Sequence, residues 1–254
     1  MGFYDLSAED RKKLVKKIES GVEQDLEKRV TTNIYKDGSD PDTYIRKNTY
    51  LSFSRIYQKR DDLKGRILDL LDTLIDDENE KIRQTSVYAL GEIGKYDAGK
   101  ISKIFEKSLE DQSSSVRNAV IGSLKQMGEK NPKPTLKFIH KHLHHPNPEV
   151  RREMVHGSEL RGRTHPEEIL PLLEELQDEN DKKVRKTIIH VLGQISYKEG
   201  CLEKVITALK GWENQELVQD SLNEILEVHK RYKFASKSPE EAKNYIKANY
   251  ELTQ

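Results

Sequence analysis

Apolar residues recur along this chain at helical spacing, and the helical pattern itself repeats. Between Asp77 and Gly94, DENEKIRQTSVYALGEIG, an acidic start leads into an Ile-Arg pair, then an apolar helical face, then a closing Gly. The same arrangement returns from Asp111 to Gly128, and less regularly at Pro146 to Gly162 and Asp178 to Ser196. Arg83, Arg117, Arg151 and Arg185 stand 34 residues apart, and Arg46 lies 37 before Arg83. A fixed period of this size predicts stacked supersecondary units, each burying its apolar face on its neighbours.

Aligned on the arginine, with Val218 in its place in the last unit, the preceding position holds Ile45, Ile82, Val116, Val150, Val184 and Leu217. Seven residues after it come Phe53, Leu90, Leu124, Ser158, Leu192 and Ile225, apolar except for Ser158. First helices are predicted over Leu63 to Ile75, Lys100 to Leu109, Pro134 to Leu143, Pro166 to Leu176 and Cys201 to Leu209, with turns at DDEN, EDQSS, HHPNP, QDEND and GWENQ. The fold expected is all-α, a right-handed α-solenoid of about six helix pairs. Residues 1–39 are read as an N-terminal helical cap, 40–232 as the array and 233–254 as a C-terminal capping helix. In the first cap Ser7 is a candidate N-cap, Gly21 a candidate break, and a second segment is read over Leu26 to Tyr35. In the last, Ser238, Pro239, Glu240 and Glu241 form a helix start that Tyr245, Ile246 and Tyr250 follow with apolar surface.

Composition changes the picture little. The chain is 34% hydrophobic and 35% charged, as suits helices that keep one face wet, and its 44 basic residues balance 44 acidic ones. A single cysteine, Cys201, excludes an internal disulfide; no apolar run approaches a membrane span, and MGFYDLSAEDRKK lacks the core of a signal peptide. A cytoplasmic protein without membrane attachment is expected. No phosphate loop, dinucleotide fingerprint, nucleophile elbow or zinc-protease motif is present, so the expectation leans away from an enzyme and names no cofactor. Cys201, opening a helix, reads as a packed small residue.

The pattern D-x-x-x-x-[IV]-R followed by an apolar helix and G-x-[IM]-G, as at Asp77 to Gly94, resembles the HEAT and HEAT-like repeats, in the short form also found in phycobilin lyases. The likeness spans roughly residues 40 to 230. Tetratricopeptide repeats share the period, but their aromatic and small-residue positions are missing. HEAT-like arrays serve as scaffolds, adaptors and transport receptors and in a few enzymes, so the resemblance implies a binding module for a macromolecule. The acid six residues before Arg46, Arg83, Arg117 and Arg185 fits a structural ladder of carboxylate, guanidinium and N-cap contacts.

A ligand site should be local, and the fourth unit departs from the pattern: Ser158 replaces Leu, Arg161 replaces Ile, and Gly157 is expected to interrupt the helix. From Arg117 to His165 there are ten basic residues against four acidic ones, together with six of the eight histidines; from Pro166 to Val228 there are seven basic against fourteen acidic. Arg151, Arg152, His156, Ser158, Arg161, Arg163 and His165 are therefore the candidate binding residues, on a concave basic face suited to an acidic protein surface or duplex DNA. The competing reading pairs Arg161 and Arg163 internally with Glu159, Glu167 or Glu168. His140, His144 and His145 in HKHLHH invite a metal, but with no cysteine and no clear carboxylate beside them no metal site is expected.

Within HPNPEVRREMVHGSELRGR and ILPLLEELQDENDKKVRK, the order H-P, V-R-R, G-S, an Arg-rich break, L-P-L-L-E and V-R resembles the alkylpurine DNA glycosylases built on HEAT-like repeats. That resemblance implies excision of cationic alkylated bases, with aromatic rings near the positive base and a carboxylate to assist C–N cleavage. The only tryptophan, Trp212, lies in an acidic turn, so Tyr44, Tyr50 or Tyr57 with Asp42 or Glu159 would have to take those roles. The helical spacing of Tyr50, Phe53 and Tyr57 reads equally as core packing.

Overall fold

A computed structural model describes residues 2–250, which form thirteen α-helices, two 3₁₀ turns and no strand. The helices are α1 (Ala8–Lys28), α2 (Thr32–Gly38), α3 (Thr43–Lys59), α4 (Lys64–Leu74), α5 (Glu80–Glu106), α6 (Ser114–Lys130), α7 (Pro132–His142), α8 (Pro148–Gly162), α9 (Pro166–Glu174), α10 (Lys182–Gln194), α11 (Cys201–Leu209), α12 (Gln215–Arg231) and α13 (Pro239–Asn249). Among them none is long and apolar enough to cross a membrane. Packing divides the chain into two compact units that meet in sequence at Asn131 and Pro132.

The second helix of each pair starts on a side-chain cap. Asp42, Asn79, Ser113, Asn147, Asp181 and Asn214 each accept a backbone N–H from the first turn of α3, α5, α6, α8, α10 and α12. Each of these helices then buries both predicted apolar columns, with Ile45 alone half-exposed. In the first unit α3, α5 and α6 pack side by side; in the second, α8, α10 and α12 do the same. The first helices α9 and α11 touch less closely than this second-helix row.

Several boundaries differ from expectation. Gly21 lies inside α1, which ends instead at Arg29 in the left-handed conformation, φ 62°. The segment after it is α2, held by the buried Asp25 carboxylate, which accepts the Asn33 and Ile34 N–H groups at 2.6 and 2.9 Å. The helices expected to part at Gly94 and resume at Lys100 run on as α5, kinked at Asp97 (φ −137°, ψ 57°). The Asp97 carboxylate accepts the Tyr57 hydroxyl from α3 at 2.9 Å, and burial first, then this bond, pushes the Tyr57 pKa up to about 12. Gly157 does not interrupt α8, which is helical from Pro148 through Gly162. Trp212, though in a turn, is a core residue at 1% exposure. The α13 start is as predicted, a capping box between Ser238 and Glu241 that buries Ala242 and Ile246.

Candidate functional site

The repeated arginine has the same surroundings at Arg83 and Arg151, while Arg185 turns instead to Asp220 at 2.9 Å. Arg83 donates through Nη1 to the Asp77 and Glu78 carbonyls at 2.8 and 3.1 Å, closing the loop before its own helix. Its Nε and Nη2 meet the Asp111 carboxylate of the next repeat at 2.7 and 3.1 Å. Arg151 repeats both contacts, to the His145 and Pro146 carbonyls and to Glu179 at 2.6 and 2.9 Å. The carboxylates also cap: Asp111 accepts the Ser113 N–H and Glu179 the Asp181 N–H. Hydrogen bonding to Arg151 holds the Glu179 carboxyl below its usual range. Arg151, read as a candidate binding residue, thus belongs to the structural ladder.

The other candidates in the fourth unit also have internal partners. Arg152 Nε lies 3.0 Å from Glu149, whose second oxygen takes Lys183 Nζ at 2.9 Å. Arg161 binds Glu168 through Nε and Nη2 at 2.8 and 2.6 Å and holds that carboxyl below its usual range. Ser158 is in the core at 2% exposure, its hydroxyl donating to the Val155 carbonyl of its own helix at 2.7 Å. His165, at the start of α9, stands 3.4 Å from Glu167. The four arginines, Arg163 included, are therefore each paired with a carboxylate of their own or the following repeat. The internal pairing weighed from sequence holds for Arg161 with Glu168 and for Arg163 with Glu159.

His156 and Arg163 do converge, on Glu159. That carboxylate is 2% exposed as a residue, with Oε1 held by Arg163 and Oε2 lying 3.1 Å from His156 Nε2 and 3.6 Å from His190 Nε2. Arg163 also donates to Gln194 at 2.8 Å, a side chain that accepts the Tyr232 hydroxyl at 3.1 Å, and its guanidinium lies 5.8 Å from the Tyr197 ring centre. His190 is not among the candidate residues of the fourth repeat. It was findable in the sequence, because His156 and His190 lie 34 residues apart and so occupy one repeat position. A carboxylate also meets the HKHLHH cluster, contrary to expectation: Glu175 Oε1 is 3.3 Å from His140 and Oε2 is 2.9 Å from His144.

In the first compact unit that repeat position carries Tyr88, five residues after Arg83, and Tyr50 of α3, four after Arg46, stacks on it with ring centres 5.0 Å apart. With Lys47, Glu92, Lys95 and Gln126 they line a groove of about 400 Å³, floored by Gly91 and Gly122. Burial pushes the Tyr50 pKa up to about 12. The remaining residues considered for a glycosylase are engaged elsewhere. Asp42 caps α3 and accepts the Phe3 N–H, Tyr44 packs on Phe3 and Tyr4, and Tyr57 is buried on Asp97. Burial raises the pKa of the Cys201 thiol, as expected of a packed residue.

Residues 136–223 match the family model for HEAT repeats, and residues 23–119 match that for the non-SMC mitotic condensation complex subunit 1. No curated protein matches the chain. Among solved structures, AlkD2 from Streptococcus mutans is similar at 17% identity and a TM-score of 0.58, over 85% of this chain and all of that one. The smu.31 protein of Streptococcus mutans UA159 is similar at 18% identity and a TM-score of 0.51, over 70% of this chain and 94% of that one. At such identities these likenesses speak for the fold. Together with helix pairs returning on capped turns, they show a HEAT-like helical-repeat fold, with HEAT repeats matched over residues 136–223.

Proposed function

We propose that the chain is a macromolecular binding module that holds a segment of a partner protein along its second-helix row. What carries this reading is the pairing of Arg151, Arg152, Arg161 and Arg163 with Glu179, Glu149, Glu168 and Glu159. Affinity for duplex DNA comes mainly from cations that displace counterions from phosphates, and a guanidinium already bonded to a carboxylate contributes little to that exchange. The Tyr50–Tyr88 groove is the better receptor: stacked aromatic rings beside lysines, a glutamate and a glutamine suit a mixed polypeptide surface.

Two measurements test it. Fluorescence anisotropy with a labelled duplex at low salt should give negligible binding, and intact alkylated duplex should release no base. Binding with a steep salt slope that falls when the four arginines are neutralised would reject the protein reading in favour of nucleic acid. Base release abolished by Glu159→Gln would favour the glycosylase. On the positive side, a photo-crosslinker at position 88 should capture a protein whose purified form binds the chain and loses at least about tenfold in affinity on Tyr88→Ala, the scale of a central aromatic contact.

A further inference from the structure

The cluster around Glu159 has a geometry that partner binding does not require. His156 and Glu159 lie one turn apart on α8, and His190 faces them from the same repeat position on α10. The imidazole rings meet edge to face, with centres 5.6 Å apart at 87°. Both present Nε2 to one oxygen, Glu159 Oε2, and the three donor atoms lie within 4.8 Å of one another.

The His190 separation of 3.6 Å is too long for a hydrogen bond. It is close to what a metal would require, since ligand bonds of about 2.0 to 2.2 Å in a tetrahedral site set neighbouring donors roughly 3.3 to 3.5 Å apart. Two of the three ligand edges are thus near their bound lengths at 3.1 and 3.6 Å, and closing the third takes only a small swing of two half-exposed rings.

The Glu159 carboxylate is also held in place by its neighbours. Arg163 bonds Oε1, and it is itself anchored by Gln194 and set against Tyr197, while Oε2 is the oxygen that faces both imidazoles. With the carboxylate side chain 3% exposed and the histidine side chains 29% and 40%, the ion would enter past the rings and keep a position open to water. The HKHLHH cluster lacks this convergence. His140 and His144 approach different oxygens of Glu175, and both side chains are 59% exposed.

We propose that His156, Glu159 and His190 form a binding site for a divalent transition-metal ion of the zinc type, with two imidazoles and one carboxylate as ligands and a fourth position left to solvent. Two neutral imidazoles and a carboxylate, with no thiolate, select an ion of borderline softness over calcium or magnesium.

Calorimetric titration of the full chain, stripped with a chelator, with Zn²⁺ tests this. One equivalent should bind, and Co²⁺ in its place should give the visible absorption of a four-coordinate site. His156→Ala and His190→Ala should each weaken binding at least about tenfold, a loss that changes even outside the ligand shell can produce. Circular dichroism of both variants should match the parent, since both side chains lie at the surface of their helices. His144→Ala should bind as the parent does. Absence of stoichiometric Zn²⁺ binding by the parent overturns the proposal. So does unchanged affinity in both His156→Ala and His190→Ala, and so does loss of binding on His144→Ala, which would put the ion at Glu175.

Discussion

At the scale of single residues, the acid six places before the repeated arginine joins two structures. Glu179 caps the loop before α10 through the Asp181 N–H and receives Arg151 from the preceding helix. Arg151 and Glu179 are largely enclosed, with side-chain exposures of 17% and 7%, so removing one partner leaves the other desolvated and poorly compensated. Glu179→Gln should cost roughly 1 to 3 kcal/mol at neutral pH. The dependence on pH follows from the depressed carboxyl pKa, whose first cause is the bond from Arg151. A carboxyl that titrates lower folded than unfolded contributes stability that is fully present above its unfolded pKa of about 4.3. That contribution is lost as the pH falls through the folded value. Urea midpoints of parent and Glu179→Gln should therefore stand apart at pH 7 and converge toward pH 3. A gap that persists at low pH would mean that the amide costs stability through shape rather than through the lost charge.

At the scale of helices, the repeat's glycines settle how closely second helices approach, and here sequence and structure part. A closing Gly suggests a helix end, yet Gly91 and Gly94 sit inside α5. A Cβ on Gly91 would lie 2.3 Å from Ser123 Oγ and 3.1 Å from its Cα, and one on Gly94 would lie 2.7 Å from the Met127 methyl. Gly91 needs the absence of a side chain rather than a turn, whereas at Gly94 the flexible end of Met127 could move aside. Because Ser123 Cα is backbone, Gly91→Ala forces α5 and α6 apart, and it should destabilise by about 1 to 3 kcal/mol in denaturant unfolding. An alanine tolerated without loss would mean that the two helices pack more loosely than this contact implies. The capping residues were legible in the sequence because a cap acts on its own helix within three residues. The kink at Asp97 was not, because the partner its carboxylate meets, the Tyr57 hydroxyl, stands forty residues earlier.

For the molecule as a whole, the 34-residue period made the architecture readable, while the same period disguised the site. Counting charge by segment separated a basic stretch ending at His165 from an acidic one starting at Pro166. The arginines, however, pair with nearby acids, Arg161 with Glu168 and Arg151 with Glu179 across the boundary and Arg152 with Glu149 and Arg163 with Glu159 within the basic stretch, so the segment count overstates the exposed charge. What the pattern does hold is a column five residues after the repeated arginine, Tyr88, Gly122, His156 and His190, and a column is found by reading across the repeats. Stability should follow the same logic, since a repeat gains most of its stabilisation from its neighbours and little from distant units. Trp212, the single tryptophan, is buried beyond Pro132 and so reports on that unit, whereas far-UV circular dichroism sees every helix. Leu124 in α6 and Ile188 in α10 are both fully buried, and truncation of either to Ala should cost about 2 to 5 kcal/mol locally. Ile188→Ala should lower the urea midpoint read by Trp212 fluorescence. Leu124→Ala should shift the circular dichroism transition while moving the Trp212 midpoint less, so that the two probes cease to coincide. Coincident shifts in both variants would instead make the array a single cooperative unit, with coupling between repeats stronger than the stability of either half.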